Sequence, residues 1–388
     1  MKKYVYLCCL TFFTINMMAQ QNSSRQNNES YCSYIAKELQ TELNVSQLPP
    51  TPGWIINERY SDEFDNTSID TRKWTVKDRF YHPNNNQSAY LEENVAVENG
   101  NLVISLSYDP NGITCTSYPN NADSVFNYFA GAVTSKFQIQ YGYLETKCYM
   151  PQNYKYRPCF WTTGRNTSLE QYDEIDVFER FKDLEYGNRQ LLQNCYNNDS
   201  YDDVSKCSQK ITFSTPFTGQ SSTFGVEFLP HEIVFYVNGC VTSHLKYDSD
   251  LANCWNTYTC SDIDEMIPMN IILEMMVTTD DLQLGTFPMP YEKCRFDYFR
   301  CYKLERGSYD TYHPLNFVAS NESTKVYPHV ILGGEGHSAQ VNTQTALWAE
   351  QDIVLDKGFE LPASTAFSAR VISVPNPELS PLYQQNCH

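Results

Sequence analysis

Between Trp54 and Leu304 the hydrophobic positions recur in short alternating runs and not in helical stripes. From Asn101 to Ser107, Leu102, Ile104 and Leu106 fall on one side while Val103 and Ser105 fall on the other, the two-residue period of a strand with one core face. Turn chemistry punctuates the runs. Asn99-Gly100 separates Val95-Ala-Val97 from the Leu102 run, and Asn238-Gly239 separates the run from Glu232 to Val237 from the one beginning at Cys240. A tight two-residue hairpin turn needs positive φ at both central residues, which Asn and Gly tolerate, so each pair predicts a hairpin. Some 250 residues built this way, with no helical stripe longer than about two turns, predict an all-β fold: one large antiparallel β-sandwich.

The flanks have a different pattern. Met1-Lys2-Lys3 precedes an apolar stretch from Tyr4 to Met18 and then Ala19, the layout of a cleaved signal peptide over residues 1–19. That stretch is too short to predict a membrane span. Cys8 and Cys9 lie inside it and not directly behind it, which favours a free secreted protein over a lipoprotein, at a secreted, cell-surface or periplasmic location. Residues 20–53 are polar and end in Leu48-Pro-Pro-Thr-Pro-Gly53, a linker. After the sandwich segment, 54–304, residues 305–329 are expected to connect it to a small C-terminal β module over 330–388. Gly333-Gly334, Gly336, Gly358 and Pro362 punctuate that module, and no fixed-period repeat is apparent. Trp348 and Tyr327 are either sugar platforms or its core, and the module either binds sugar or retains the protein at a surface.

Charge, cysteines and aromatics narrow the partners. The net charge of −18 becomes more negative once Lys2 and Lys3 leave with the signal, so nucleic acid and anionic membranes are repelled. Of 14 cysteines, Cys8 and Cys9 go with the signal, and the even remainder in an export context suits several disulfides. Cys195 with Cys207 and Cys254 with Cys260 are spaced as local staples, and no CxxC pair supports a zinc ribbon. Aromatics reach 14% with 29 Tyr, and exposed rings stack on sugars. A monomer is expected.

The chemistry concentrates in Tyr172-Asp-Glu-Ile-Asp-Val-Phe-Glu-Arg180. In a regular strand Glu174 and Asp176 share a face and Glu179 falls on the other. One extra residue in a bulge at Val177-Phe178 restores Glu179 to the first face. Three carboxylates on one face repel, so stability gives no reason for them. Retaining glycoside hydrolysis does: one ionised carboxylate attacks the anomeric carbon and a second, protonated, donates to the leaving oxygen. Crowding keeps one of the three protonated, and Asp176 can hydrogen-bond the nucleophile. A solvated acidic strand edge is the alternative.

The order of segments from Tyr60 to Leu304 resembles glycoside hydrolase family 16, which holds laminarinases, lichenases, agarases and carrageenases. Ser61-Asp-Glu-Phe-Asp65 with Ile69-Asp-Thr-Arg-Lys-Trp74 is similar to the family's opening segment, and Asn94 to Ile104 to its first hairpin. Gln140-Tyr-Gly-Tyr-Leu-Glu145, Pro158-Cys-Phe-Trp161, Phe224 to Gly239, Pro268 to Ile272 and Phe296 to Tyr302 follow in order. The resemblance implies a concanavalin A-like jelly roll whose concave sheet forms a sugar cleft, and endo-acting cleavage of β-linked polysaccharide with retention. Glu174 is then the nucleophile, Glu179 the general acid/base and Asp176 the helper between them. Trp161 lies on the cleft floor, or is a core Trp. Asn86 contacts sugar, or is a turn residue of Asn84-Asn-Asn86. Asp297 matches a position that in relatives helps bind a structural calcium; catalysis itself requires no cofactor.

Two departures from the family put the substrate in doubt. Arg157 stands where laminarinases and lichenases usually place Trp, and a guanidinium fork suits an anionic sugar or sulfate, or else pairs with a surface carboxylate, which this acidic protein supplies freely. Glu274 stands where glucanases commonly have Asn. The leading substrate is β-1,3 or mixed-linkage β-glucan, with a galactan, a sulfated polysaccharide or a host glycan as rival. A non-catalytic carbohydrate-binding protein on the same fold is the further alternative, though a lectin needs no acidic triplet.

Overall fold

The computed structural model describes residues 53–371 except 83–87, 118–119, 153–155, 167–170, 181–188, 201–202, 214–215, 230–231, 247–265, 278–292, 306, 309–310, 318–324, 342–344, 358 and 362–366. The expected signal, nearly all of the polar segment after it, Asn86 and the Cys254/Cys260 pair lie outside the described residues.

Both Asn-Gly hairpins form. Val95–Val97 pairs antiparallel with Leu102–Ser105, and Glu232–Val237 with Cys240–Lys246. The turn residues take φ of 52° and 71° at Asn99 and Gly100, and 50° and 77° at Asn238 and Gly239. Leu102, Ile104 and Leu106 enter one continuous core, as their alternation requires.

The strands assemble into two sheets, one of eight strands and one of ten, joined mainly by antiparallel pairing. Their inner faces interlock through aromatic edges: Trp74 meets Phe299 at 5.6 Å and 86°, and Phe160 meets the same ring at 5.9 Å and 82°. In the ten-stranded sheet, Tyr156–Asn166 is central, flanked by Gln171–Arg180 on one side and Met269–Val277 on the other. The outer face of these three strands is where the acidic triplet lies.

The C-terminal region differs from the expectation in two respects. The segment 305–329 carries strands of its own, Thr311–Tyr312 and Asn316–Phe317, with Val326 opening a third. They pair in parallel with the strands that follow, and successive strands alternate between a four-stranded and a three-stranded sheet. The chain therefore winds as a parallel coil. Val326 faces Trp348 and Thr345 faces Phe367, an offset of 22 residues in both, but Thr311 faces His329 at an offset of 18 and His329 faces Asp352 at 23. Such drift, with strands as short as two residues, hides the repeat from the sequence. Tyr327, Val330, Leu332, Leu347 and Phe367 fill the coil. Tyr327 and Trp348 are fully buried, so neither is a sugar platform.

Trp348 and Val326 reach out of the coil to join Trp54, Tyr143, Tyr236 and Tyr302 in one cluster on the outer face of the eight-stranded sheet. Trp54 meets Trp348 edge-on at 5.6 Å. The coil thus packs against the sheet that does not carry the acidic triplet.

Of the expected disulfide partners, Cys195 lies opposite Cys207 in register, and Cys148 Sγ approaches Cys294 Sγ to 3.4 Å as a pair of thiols. No helix among the described residues is long and apolar enough to cross a membrane.

Candidate active site

The bulge that the triplet requires is present. Across the central strand Trp161 faces Asp176 and Phe160 faces Phe178, so Val177 is the extra residue. On the other side Asp176 faces Asn194 and Glu179 faces Leu192. Ile175, Val177 and Phe178 all enter the core, two of them consecutive in sequence, and this doubled inward step returns Glu179 to the outer face with Glu174 and Asp176.

Each carboxylate has its own surroundings. Glu174 accepts a hydrogen bond from the Tyr172 hydroxyl, two residues earlier on the same face. Burial and then the Glu174 charge push the Tyr172 phenol well up, so it acts as a permanent donor. Asp176 is 4% exposed and accepts from Asn194 Nδ2 at 2.6 Å. Burial first, then the charges of Glu174 and Glu179, hold its carboxyl far above the usual range, with Asn194 opposing in part. Asp176 therefore keeps a proton that it shares in a hydrogen bond with Glu174. Glu179 receives the Arg157 guanidinium through Nη2.

Arg157 is therefore engaged, half-buried, within the acidic cluster. Burial alone lowers its affinity for the proton, but Glu179, Cys159, Glu274 and Asp176 outweigh it and the net direction is upward. Its Nε is buried with no hydrogen-bond partner among the described residues. Glu274, 1% exposed, accepts from the Tyr90 hydroxyl at 2.7 Å. Burial raises its carboxyl to about 7, helped by the charge of Glu179 and opposed by Tyr90, Arg157 and Trp161. The Trp161 indole Nε1 faces inward without a well-formed hydrogen bond.

Trp161 belongs to a small outer-face cluster with Cys159, Ile272 and Met276 and is 8% exposed, which puts it on the triplet's side of the sheet and outside the main core. His82, which the sequence did not single out, meets Trp161 edge-on at 5.6 Å and Tyr90 at 6.4 Å. Burial, then the Lys77 charge, lowers its imidazole to about 4, leaving it neutral at ordinary pH. Asn86 lies in the undescribed stretch beside it. Tyr172 was within reach of sequence reasoning, being two residues before Glu174. Asn194 and Tyr90 reach the site through strand register alone.

Asp297 accepts from Lys147 Nζ at 2.7 Å, so a cation of the protein itself occupies that carboxylate. Among the described residues no group of three His, Cys, Asp or Glu side chains is placed to hold a metal ion.

Residues 54–304 match the family model described as beta-porphyranase A-D, GH16 domain. Beta-porphyranase B of Phocaeicola plebeius is 30% identical over 111 residues, which span 27% of this chain and 33% of that protein. Solved structures share the fold, among them two with TM-scores above 0.5. A member of the set described as endo-acting O-glycanases by which prominent members of the human gut microbiota initiate mucin breakdown superposes with a TM-score of 0.52 at 19% identity, covering 66% of this chain and 92% of that one. Porphyranase B from Zobellia galactanivorans superposes at 0.51 and 18% identity, covering 66% and 96%.

Proposed function

This chain belongs to glycoside hydrolase family 16, and we propose that it is a secreted, endo-acting hydrolase that cleaves a β-linked galactan backbone with retention of configuration. The observation that carries the reading is the bulge at Val177, which brings Glu174, Asp176 and Glu179 onto one outer face at the cost of mutual repulsion.

In the first step a Glu174 oxygen attacks the anomeric carbon while Glu179 gives its proton to the departing glycosidic oxygen, leaving a covalent glycosyl ester on Glu174. In the second step Glu179 takes a proton from water, whose oxygen attacks the same carbon and frees Glu174. Asp176, holding its proton toward Glu174, and Tyr172 fix the orientation of the nucleophile and spread its charge as the ester breaks. The Trp161 indole and the neutral His82 ring supply an apolar floor for the sugar face.

The substrate class rests on the kinship with porphyranases, which favours a galactan over the glucan that the sequence put first. The test is release of new reducing ends from porphyran, agarose, carrageenan, laminarin, mixed-linkage β-glucan and mucin glycans, beside a Glu174→Gln variant. The expected outcome is cleavage of porphyran by the wild type alone. Retention of a polymer by both proteins without cleavage of any would replace the enzyme with a binding protein.

A further inference from the structure

Three outer-face positions lie in line across three strands. Cys159 on the central strand faces Glu179 on one side and Glu274 on the other. Arg157, two residues before Cys159 and on the same face, stands diagonal to both carboxylates, within ordinary reach of a long side chain. One guanidinium thus lies between two acids on opposite flanking strands, bonded to Glu179 and within electrostatic range of Glu274.

We propose that Arg157 and Glu274 act as a pair of positioning residues that set the protonation of Glu179: the guanidinium is shared between the two acids, and the charge on Glu274 decides how much of it Glu179 feels. The proposal rests on the assignment of Glu179 as the general acid/base.

A general acid paired with an arginine has a difficulty, because the cation favours the ionised form that cannot donate. Glu274 relieves it. When Glu274 is ionised, its charge offsets Arg157 and Glu179 holds its proton to higher pH. When Glu274 is neutral, Arg157 acts wholly on Glu179 and favours the carboxylate, the form needed to activate water.

The groups facing Glu274 come from every adjoining strand: Tyr90, which donates to it; Cys159 and Arg157; Glu179 beyond the thiol; and the Trp161 indole. His82 is neutral beside Tyr90. On its remaining side Glu274 faces Ala132, which brings no charge. Around Glu179 stand Arg157, Cys159, Asp176, Tyr196 and the uncharged Leu192. A change at Glu274 therefore reaches Glu179 both directly, as one charge acting on the other, and through the guanidinium that stands between them.

The test is the pH profile of kcat/KM on porphyran for wild type, Glu274→Gln and Arg157→Gln, with folding checked by circular dichroism. Removing the Glu274 charge leaves Arg157 unopposed, so the alkaline limb moves to lower pH. Removing Arg157 moves it to higher pH, each by about one pH unit. Opposite movements are the signature, since a purely structural role lowers the rate without moving the limb. Limbs that stay in place, or move together, overturn the proposal. Should the variants fail to fold or the wild type cut no polymer, carboxyl carbon NMR of wild-type protein decides the coupling alone. Glu179, assigned by its loss in Glu179→Gln, is expected to titrate in two steps, one of them shared with Glu274. A single independent step overturns the coupling, whereas absence of cleavage counts against the function reading only.

Discussion

Both sheets bury carboxylates on their outer faces, and the two faces treat them in opposite ways. On the eight-stranded sheet Glu145 is fully buried, yet one oxygen accepts from Tyr143 at 2.6 Å and the other from Tyr298 at 2.7 Å. Glu227, equally buried, accepts from the Trp54 indole at 3.1 Å. Neutral donors bond these acids, the Arg300 guanidinium stands opposite Glu145 in register, and the coil closes over the aromatic cluster beside them. On the ten-stranded sheet Glu174, Asp176, Glu179 and Glu274 crowd one another around a single guanidinium. Burial of an acid therefore does not set the candidate active site apart here; crowding of like charges around one guanidinium does.

Substitutions on the two faces sharpen that contrast. Glu174→Gln is expected to cut kcat by about a thousandfold or more while leaving the melting temperature unchanged or higher, since one crowded charge is gone. Assays of turnover beside calorimetry check both halves. Glu145→Ala is expected to do the reverse: two buried phenols lose their acceptor, costing about 3 kcal/mol in urea unfolding, while turnover per folded molecule stays near wild type. If Glu145→Ala instead abolished turnover in folded protein, the distinction between the faces would fail.

Glu274 gives a smaller effect with a definite sign. Its folded value, about 7, lies above the ordinary 4.5, so the folded state binds this proton more tightly than the unfolded chain. Its contribution to stability is complete below about pH 4.5 and is lost as pH rises through about 7. Glu274→Gln escapes the loss, and a gain of about 2 kcal/mol is expected at pH 8 with little or none at pH 4.5. Melting curves at the two pH values test it. The smallest effect concerns encounter: a chain of net charge −18 repels a sulfated polymer, so KM on porphyran is expected to fall severalfold as salt rises from low to physiological ionic strength. KM on agarose should barely respond.

How much of this was legible in the sequence depended on whether a local rule carried the information. The Asn-Gly hairpins and the Leu102 alternation follow from turn chemistry and a period of two, and both were readable. So was the bulge, because a regular strand would put Glu179 on the wrong face. Tyr90, Asn194 and His82 were not, since register between distant strands brings them to the site. The engagement of Arg157 by Glu179 escaped for the same reason: diagonal neighbours across a bulge have no sequence signature. The coil was missed because its offsets drift between 18 and 23 residues and its shortest strands have two.

The central claim is that Glu174 and Glu179 divide the work of a retaining double displacement. Proton NMR of the anomeric region during the first minutes of porphyran digestion tests it most directly. The account predicts that the new reducing ends appear first as the β anomer, with the α anomer growing in only by mutarotation. An α anomer formed first would mean single-step inversion and would contradict the assignment of Glu174 as nucleophile.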